Sequence, residues 1–141
     1  MEDKINISEL ICTRISHDLI GNIGAFANAV ELLEDDDDDF IDEIKNTLKT
    51  SSEVLTARLK FFRMAFGLTN ANLENIETVK KVTEDYLRTL NLNHPVKADI
   101  KIINSPFNRA VMLACMCAAE VIVRGGSIIA TFYQHARINS V

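Results

Sequence analysis

Hydrophobic periodicity in residues 7–34 constrains the fold more strongly than any other feature of this 141-residue sequence. Apolar side chains recur there at spacings of three and four, which is typical of an amphipathic α-helix. The pattern predicts a helix about 40 Å long with one strong apolar face. The recurring residues are Ile11, Ile15, Leu19, Ile23, Phe26, Val30 and Leu33.

A second long helix is predicted from about Phe40 to Phe66, and it carries two apolar stripes. The acidic run from Glu34 to Asp39 separates the two helices, and we expect it to form a solvated turn. An antiparallel hairpin of two helices cannot bury both stripes, whereas two hairpins related by a twofold axis can. The sequence therefore predicts a homodimer that forms a four-helix bundle. One stripe comprises Ile41, Ile44, Leu48, Leu55, Leu59, Phe62 and Phe66, and the other Phe40, Thr47, Val54 and Phe61.

The remainder of the chain predicts a linker and a smaller α/β domain. Residues 67–72, GLTNAN, contain the glycine and asparagines typical of a helix stop. We therefore expect a helical hairpin over residues 1–68 and an α/β domain over residues 69–141, in a mainly α fold with a small α+β part. The predicted elements of the second domain are a helix at 73–91, a strand at 96–103, an apolar helix at 106–123, a turn at Gly125-Gly126 and a strand at 127–133.

Composition excludes several functional classes. The chain is 48% hydrophobic, which is enough for a sizeable core, and its formal net charge is −5. Nucleic acids and anionic membranes attract basic surfaces, so we expect neither as a partner. The sequence contains no run of about 18 apolar residues and no signal-peptide pattern, and we therefore expect a cytoplasmic protein.

The three cysteines, Cys12, Cys115 and Cys117, all fall within apolar helical patterns. Free cysteine in such a pattern behaves as a small hydrophobe, so we expect all three to be reduced core residues. Cys115 and Cys117 would lie about 200° apart on a helix, which differs from the CxxC loops that bind zinc. The sequence therefore predicts no metal site.

His17 is the first candidate functional residue. It projects about 180° away from the mean direction of the apolar face of its helix, so we expect it to be exposed. A neutral imidazole nitrogen is a competent nucleophile near neutral pH, and Asp18 is placed to orient it. These features favour a histidine that accepts and donates a phosphoryl group. The alternative is a surface histidine beside an acidic neighbour.

Two of the five glycines in the chain lie on the same helix face as His17. Glycine in a helix interior costs about 1 kcal/mol relative to alanine, so their presence indicates that another molecule approaches closely. We expect this face to dock a phosphoryl donor. Its residues around His17 are Arg14, Gly21, Gly24 and Asn28.

The second helix is expected to complete this docking surface. Because the hairpin turns near Asp36, His17 should lie level with Ala57 and Arg58. Ala57, Lys60 and Met64 are expected to face outward as the second half of the docking surface; the alternative is that they form ordinary surface.

The run SHDLIGNIGA at residues 16–25, continuing to ELLE at 31–34, resembles the phosphoacceptor helix of ChpT-type histidine phosphotransferases. These are relatives of the dimerisation and phosphoacceptor domain of sensor histidine kinases. In the family an acidic residue, Leu-Ile, a small residue, a proline and a short Gly-Ala segment follow the histidine; Asn22 replaces the proline here, and Ile20 stands where many kinases carry a basic residue. The resemblance implies that His17 is the phosphoacceptor. We also expect Asn22 to belong to the docking surface.

The α-β-α-β order resembles the front part of the histidine-kinase ATP-binding domain, which ChpT-type proteins retain in degenerate form. In kinases the helix corresponding to 106–123 carries asparagines that hold magnesium and ATP phosphates. Here Asn108 lies too early, and no glycine-rich box follows to free the backbone amides that cradle phosphates. We therefore predict no ATP binding and no cofactor in this chain. A complete domain would need further elements after Tyr133, so we expect a shortened one.

These features predict a histidine phosphotransferase of a bacterial two-component phosphorelay. It would accept a phosphoryl group from a receiver-domain aspartate onto His17 and pass it to a response regulator. The resemblance implies a receiver domain of a hybrid histidine kinase as donor, CtrA-like response regulators as acceptors, and Mg²⁺ on the partner receiver domain. The alternative is a non-catalytic dimeric adaptor derived from a histidine kinase core. The missing nucleotide boxes disfavour a free-standing autokinase.

Overall fold

The computed structural model describes residues 6–34, 40–67, 73–93, 96–102, 107–122 and 124–132. The expected acidic turn and linker, at 35–39 and 68–72, lie outside these ranges, as do residues 133–141. The mainly helical architecture with a small β part is confirmed. The elements are α1 (Ile7–Glu34), α2 (Ile41–Phe66), α3 (Ile76–Arg88), β1 (Val96–Ile102), α4 (Asn108–Val121) and β2 (Gly126–Phe132).

The chain forms two compact units, Met1–Leu59 and Lys60–Val141. The last turns of α2 therefore belong to the second unit, whereas the sequence-based prediction places the domain boundary at the GLTNAN segment, after residue 68. None of the helices in the described ranges is long and apolar enough to cross a membrane.

The first unit is an antiparallel hairpin of α1 and α2. The Asn6 side chain caps the start of α1, because its Oδ1 accepts a hydrogen bond of 3.0 Å from the backbone N–H of Ser8. Near the other end of α1, a cavity of about 590 Å³ lies between α1 and the start of α2. Its lining includes Ala29 of α1 and Ile44 of α2, both of which are buried.

The buried side of α1 carries small and polar residues. Asp18 and Ala29 are 8% and 3% exposed, and no other residue of this helix is buried. Most of the predicted apolar face points about a quarter turn away and remains uncovered by α2. The larger apolar residues of α1 therefore lie on a separate surface. The residues of this uncovered apolar face are Ile23, Phe26, Val30 and Leu33, which are between 39% and 54% exposed.

The second unit packs α3 and α4 against a two-stranded parallel sheet. The strands pair in register from Val96↔Gly126 to Ile102↔Phe132, and α4 supplies the crossover that parallel strands require. Asn75 caps α3 by accepting a 3.0 Å hydrogen bond from the Thr78 N–H at its side-chain oxygen. The core of this unit includes Val79, Tyr86, Leu87, Val96, Ile100, Met112 and Cys115, together with Phe61 and Phe62 from the end of α2.

The start of α4 holds the backbone on both sides of residues 68–72. Arg109 donates hydrogen bonds to the carbonyls of Met64, at 3.3 Å from Nε, and Gly67, at 2.8 Å from Nη2. Asn108 is 5% exposed, and its Nδ2 donates to the Leu73 carbonyl at 2.5 Å. The first two residues of α4 therefore fix the end of α2 relative to the approach to α3.

The prediction that all three cysteines are core residues is wrong for two of them. Cys115 is buried, and burial raises the pKa of its thiol. Cys117 is exposed because it lies about 200° further round α4. Cys12 is exposed because it projects on the side of α1 that α2 does not cover.

Candidate functional site

His17 and Asp18 are neighbours on α1 with opposite environments. The His17 side chain is 85% exposed, as its position opposite the apolar face predicts, whereas the Asp18 side chain is 9% exposed. The two side chains diverge by about 100° around the helix, so one meets solvent while the other turns toward α2. The imidazole is therefore accessible to another macromolecule, and the carboxylate is shielded.

The Asp18 carboxylate lies between two nitrogen-bearing side chains. Its Oδ2 accepts a 3.1 Å hydrogen bond from Nε of Arg14, one turn earlier on the helix. Its Oδ1 lies 3.5 Å from Nδ1 of His17. A carboxylate removed from water is costly unless it is paired and hydrogen-bonded, and Arg14 supplies that compensation here.

This arrangement favours one imidazole nitrogen over the other as a nucleophile. A carboxylate beside Nδ1 favours the proton on that nitrogen, and the lone pair then resides on Nε2. Nε2 is the ring nitrogen that does not face Asp18. The site can therefore present an oriented nitrogen nucleophile to an electrophile arriving from solvent.

Arg58 connects this part of α1 to α2. Its Nη1 donates a hydrogen bond to the backbone carbonyl of Asp18. The predicted register of the hairpin, with His17 level with Ala57 and Arg58, is thereby confirmed. Sequence analysis identified the position of Arg58 but assigned it no role, because a bond to a backbone carbonyl leaves no residue pattern.

The glycines near His17 border open space. A Cβ atom built on Gly21 or Gly24 would have no described atom within 4 Å outside the helix's own backbone. Neither glycine is therefore required for packing among the described residues. Gly21 lies about one turn beyond His17 and Gly24 about two turns beyond it, so the helix face next to the imidazole lacks side chains at these two positions. Asn28 is also exposed.

Two residues of the expected docking surface have different environments from those predicted. Met64 is 9% exposed, so the expectation that it faces outward is wrong. It lies where α2 enters the second unit, next to the buried Ala65 and two residues after the buried Phe62. Arg14 contacts Asp18 and is only 28% exposed. The i, i+4 spacing of Arg14 and Asp18 is a sequence signal that could have revealed this pair.

The other three positions of the expected docking surface differ in exposure. Ala57 is half-buried and Lys60 is exposed, and Lys60 belongs to the second unit, as Met64 does. Asn22 is half-buried, and its Nδ2 is enclosed without a hydrogen-bond partner among the described residues. Among the residues that the structure describes, no group of three or more His, Cys, Asp or Glu residues is placed to hold a metal ion.

Comparisons with known proteins show which proteins this chain is similar to in sequence and in fold. No family model matches the sequence. The protein phosphotransferase ChpT of Brucella abortus (strain 2308) is 35% identical over 86 residues, which cover 60% of this chain and 40% of that protein. The solved structure of a bacterial phosphotransferase superposes with a TM-score of 0.74 at 25% identity, covering 96% of this chain and 64% of the other. The chain thus spans less than two thirds of the length of either relative.

The fold is similar to that of a bacterial phosphotransferase. Within that class the similarity is to the ChpT-type histidine phosphotransferases, so the resemblance inferred from the phosphoacceptor helix is confirmed.

Proposed function

We propose that this chain transfers phosphoryl groups through His17 in a two-component phosphorelay. The carrying observation is the pairing of an 85% exposed imidazole with a 9% exposed carboxylate 3.5 Å from its Nδ1. A surface histidine without a function has no need of an oriented, shielded carboxylate. The similarity to the ChpT phosphotransferase of Brucella abortus supports the same conclusion.

The transfer step uses the lone pair of His17 Nε2. It attacks the phosphorus of an aspartyl phosphate on a receiver domain, the N–P bond forms as the P–O bond to the aspartate breaks, and the aspartate leaves as a carboxylate. The ring keeps its Nδ1 proton and becomes cationic, and the Asp18 carboxylate balances that charge. Transfer to a second receiver reverses these steps.

The receiver domain supplies the rest of the reaction centre. Its aspartyl phosphate must come within about 3 to 3.5 Å of Nε2 with the atoms in line, and the open surface at Gly21 and Gly24 permits that approach. Mg²⁺ bound to the receiver would neutralise charge on the transferring group. The donor is the receiver domain of a hybrid histidine kinase, and the acceptors are CtrA-like response regulators.

The same proposal includes a homodimeric four-helix bundle. The uncovered apolar face of α1 supports it, and so does Leu59 of α2, which is 53% exposed. Burial of this face against a second copy would be favourable in proportion to the apolar area removed from water. We also propose that the second unit is a degenerate relative of a kinase ATP-binding domain, and we expect it to bind no ATP.

The proposal is tested by incubating the protein with a receiver domain carrying radioactive phosphate. We expect acid-labile, base-stable label on the wild-type chain, none on His17→Ala, and unchanged label on His94→Ala as the matched histidine control. Label that persists in His17→Ala contradicts the proposal. Receiver binding without any label would instead identify a non-catalytic dimeric adaptor.

A further inference from the structure

The guanidinium of Arg14 points at the carboxylate of Asp18. Arg14 lies one helical turn before Asp18, its Nε is 3.1 Å from Oδ2, and its side chain is 28% exposed. An arginine used to dock a partner would extend into solvent. The guanidinium of Arg14 instead contacts Asp18, the neighbour of His17.

The Arg14–Asp18 pair is less exposed than a second arginine–aspartate pair in the chain. Arg88 and Asp85 of α3 lie 3.0 Å apart, but their side chains are 64% and 38% exposed. Exposed pairs of this kind hold neither partner in a single geometry, because water competes for both. Asp18 is 9% exposed, so water competes little for its oxygens.

Fixing one carboxylate oxygen fixes the other, because the group is planar and rigid. With Oδ2 bonded to Arg14, Oδ1 is directed to the side where His17 Nδ1 lies 3.5 Å away. The backbone from which Asp18 projects is also held, since Arg58 donates to the Asp18 carbonyl. Arg14 thus constrains the carboxylate of Asp18, and Arg58 constrains the backbone that carries it.

We propose that Arg14 is a positioning residue for phosphoryl transfer, which acts through Asp18 to keep the proton of His17 on Nδ1 and the lone pair on Nε2. This inference rests on the proposed function, and it assigns Arg14 to the reactive centre instead of the docking surface. His17 would be the nucleophile, Asp18 the group that orients it, and Arg14 the third group that holds Asp18 in place.

Nuclear magnetic resonance of the unphosphorylated protein tests the positioning directly. The ¹⁵N shifts of the His17 ring distinguish its two neutral tautomers, and we expect wild type to hold the proton on Nδ1. Arg14→Met keeps an unbranched stem and removes the guanidinium, so it should give a mixture of tautomers. Arg14→Lys keeps the charge and one donor, and should give an intermediate mixture. Arg88→Met, which breaks the exposed pair, should leave the His17 resonances unchanged.

Phosphotransfer kinetics on the same variants provide the second measurement. Arg14→Met should lower kcat by up to about 100-fold, the scale of a small misplacement of a reacting group, while KM for the receiver stays unchanged. Arg14→Lys should restore part of that loss. A raised KM with unchanged kcat would make Arg14 a docking residue and overturn the inference.

The two measurements separate this inference from the proposed function. Unchanged ring resonances in folded Arg14→Met overturn the positioning role, whatever the transfer rate. If that variant does not fold, a wild-type tautomer ratio in Arg14→Lys, together with wild-type kcat, overturns it equally. A fixed Nδ1–H tautomer in a wild-type protein that takes no label refutes the phosphotransfer function, yet leaves the orientation of the ring by Arg14 and Asp18 supported.

Discussion

The rings of Phe61 and Tyr86 lie face to face, with centroids 3.9 Å apart and planes inclined by 12°. Both side chains are fully buried, and Phe62 meets Tyr86 edge-on at 5.6 Å. The end of α2 therefore supplies the aromatic centre of the second unit. The stripe that continues through Phe61 serves this core, so a charge at Phe61 would unfold the unit and would not report on dimer formation.

Phe61→Ala should lower the free energy of unfolding by about 3 to 5 kcal/mol, because it removes a large buried ring and leaves a cavity. Urea denaturation followed by circular dichroism measures this change. Phe107→Ala is the matched control, since Phe107 is 60% exposed and its loss should cost less than about 0.5 kcal/mol. Equal effects of the two substitutions would contradict the packing described for Phe61.

Phe26→Glu should convert the proposed dimer into a folded monomer. Phe26 lies on the uncovered apolar face of α1, and a charge there cannot be buried against a second copy without a large desolvation cost. Light scattering at micromolar concentration measures the mass. Ile20→Glu is the control on the same helix, since Ile20 is 69% exposed and points about 120° away from Phe26. A monomeric wild-type protein would refute the dimer.

Gly21→Ala and Gly24→Ala should each stabilise α1 by up to about 1 kcal/mol, because the added methyl meets open space and alanine is the better helix former. Gly21→Leu should keep the fold but slow transfer from the receiver by obstructing its approach. Melting temperature and phosphotransfer are measured on the same variants. If leucine at both positions leaves transfer at the wild-type rate, the glycines do not serve docking.

Asp18→Asn should slow phosphotransfer by about 10- to 10⁴-fold, because it removes the charge that holds the Nδ1 proton and balances the cationic ring. The hairpin should remain assembled, since Arg58 contacts the backbone carbonyl at this position. Asp85→Asn removes an exposed arginine partner and should leave transfer unchanged. Wild-type rates in Asp18→Asn would reduce the carboxylate to a bystander.

Stability should fall at alkaline pH through Cys115. Burial raises the pKa of its thiol above the ordinary value of 9.0, so the folded chain keeps a proton that the unfolded chain releases. The thiol's contribution is therefore fully present below pH 9.0 and is lost as the pH rises through the raised value. The urea midpoint of unfolding should be measured below and above that pH. It should change less in Cys115→Ala than in Cys117→Ala, which is the control because Cys117 is exposed. Identical pH dependence in the two variants would contradict this prediction.

Sequence periodicity predicted the elements well because their patterns are long and uninterrupted. The apolar repeat of residues 7–34 gives the observed bounds of α1, and the predicted strand at 96–103 differs from β1 by one residue at its end. The outward direction of His17 follows from the same repeat. These features depend on local spacing, which a single sequence records.

The tertiary packing of these elements was harder to predict from the sequence. Periodicity identifies the apolar face of α1, but the side that packs in the hairpin carries Asp18 and Ala29, whose polarity and size carry no apolar signal. Met64 continues the spacing of an outward face, yet α2 changes its packing environment near Leu59. The bond from Arg58 to a carbonyl involves no side chain on α1 and is invisible to any residue pattern.

The bond between Arg58 and a main-chain oxygen gives the hairpin one attachment that is independent of the side chain at position 18. Every amino acid offers the same carbonyl, so this bond does not itself restrict which residue stands there. The restriction comes instead from burial and from the pairing with Arg14, which favour small polar replacements. A small set of such variants would change the charge and polarity of the group beside the imidazole and leave the main-chain attachment in place.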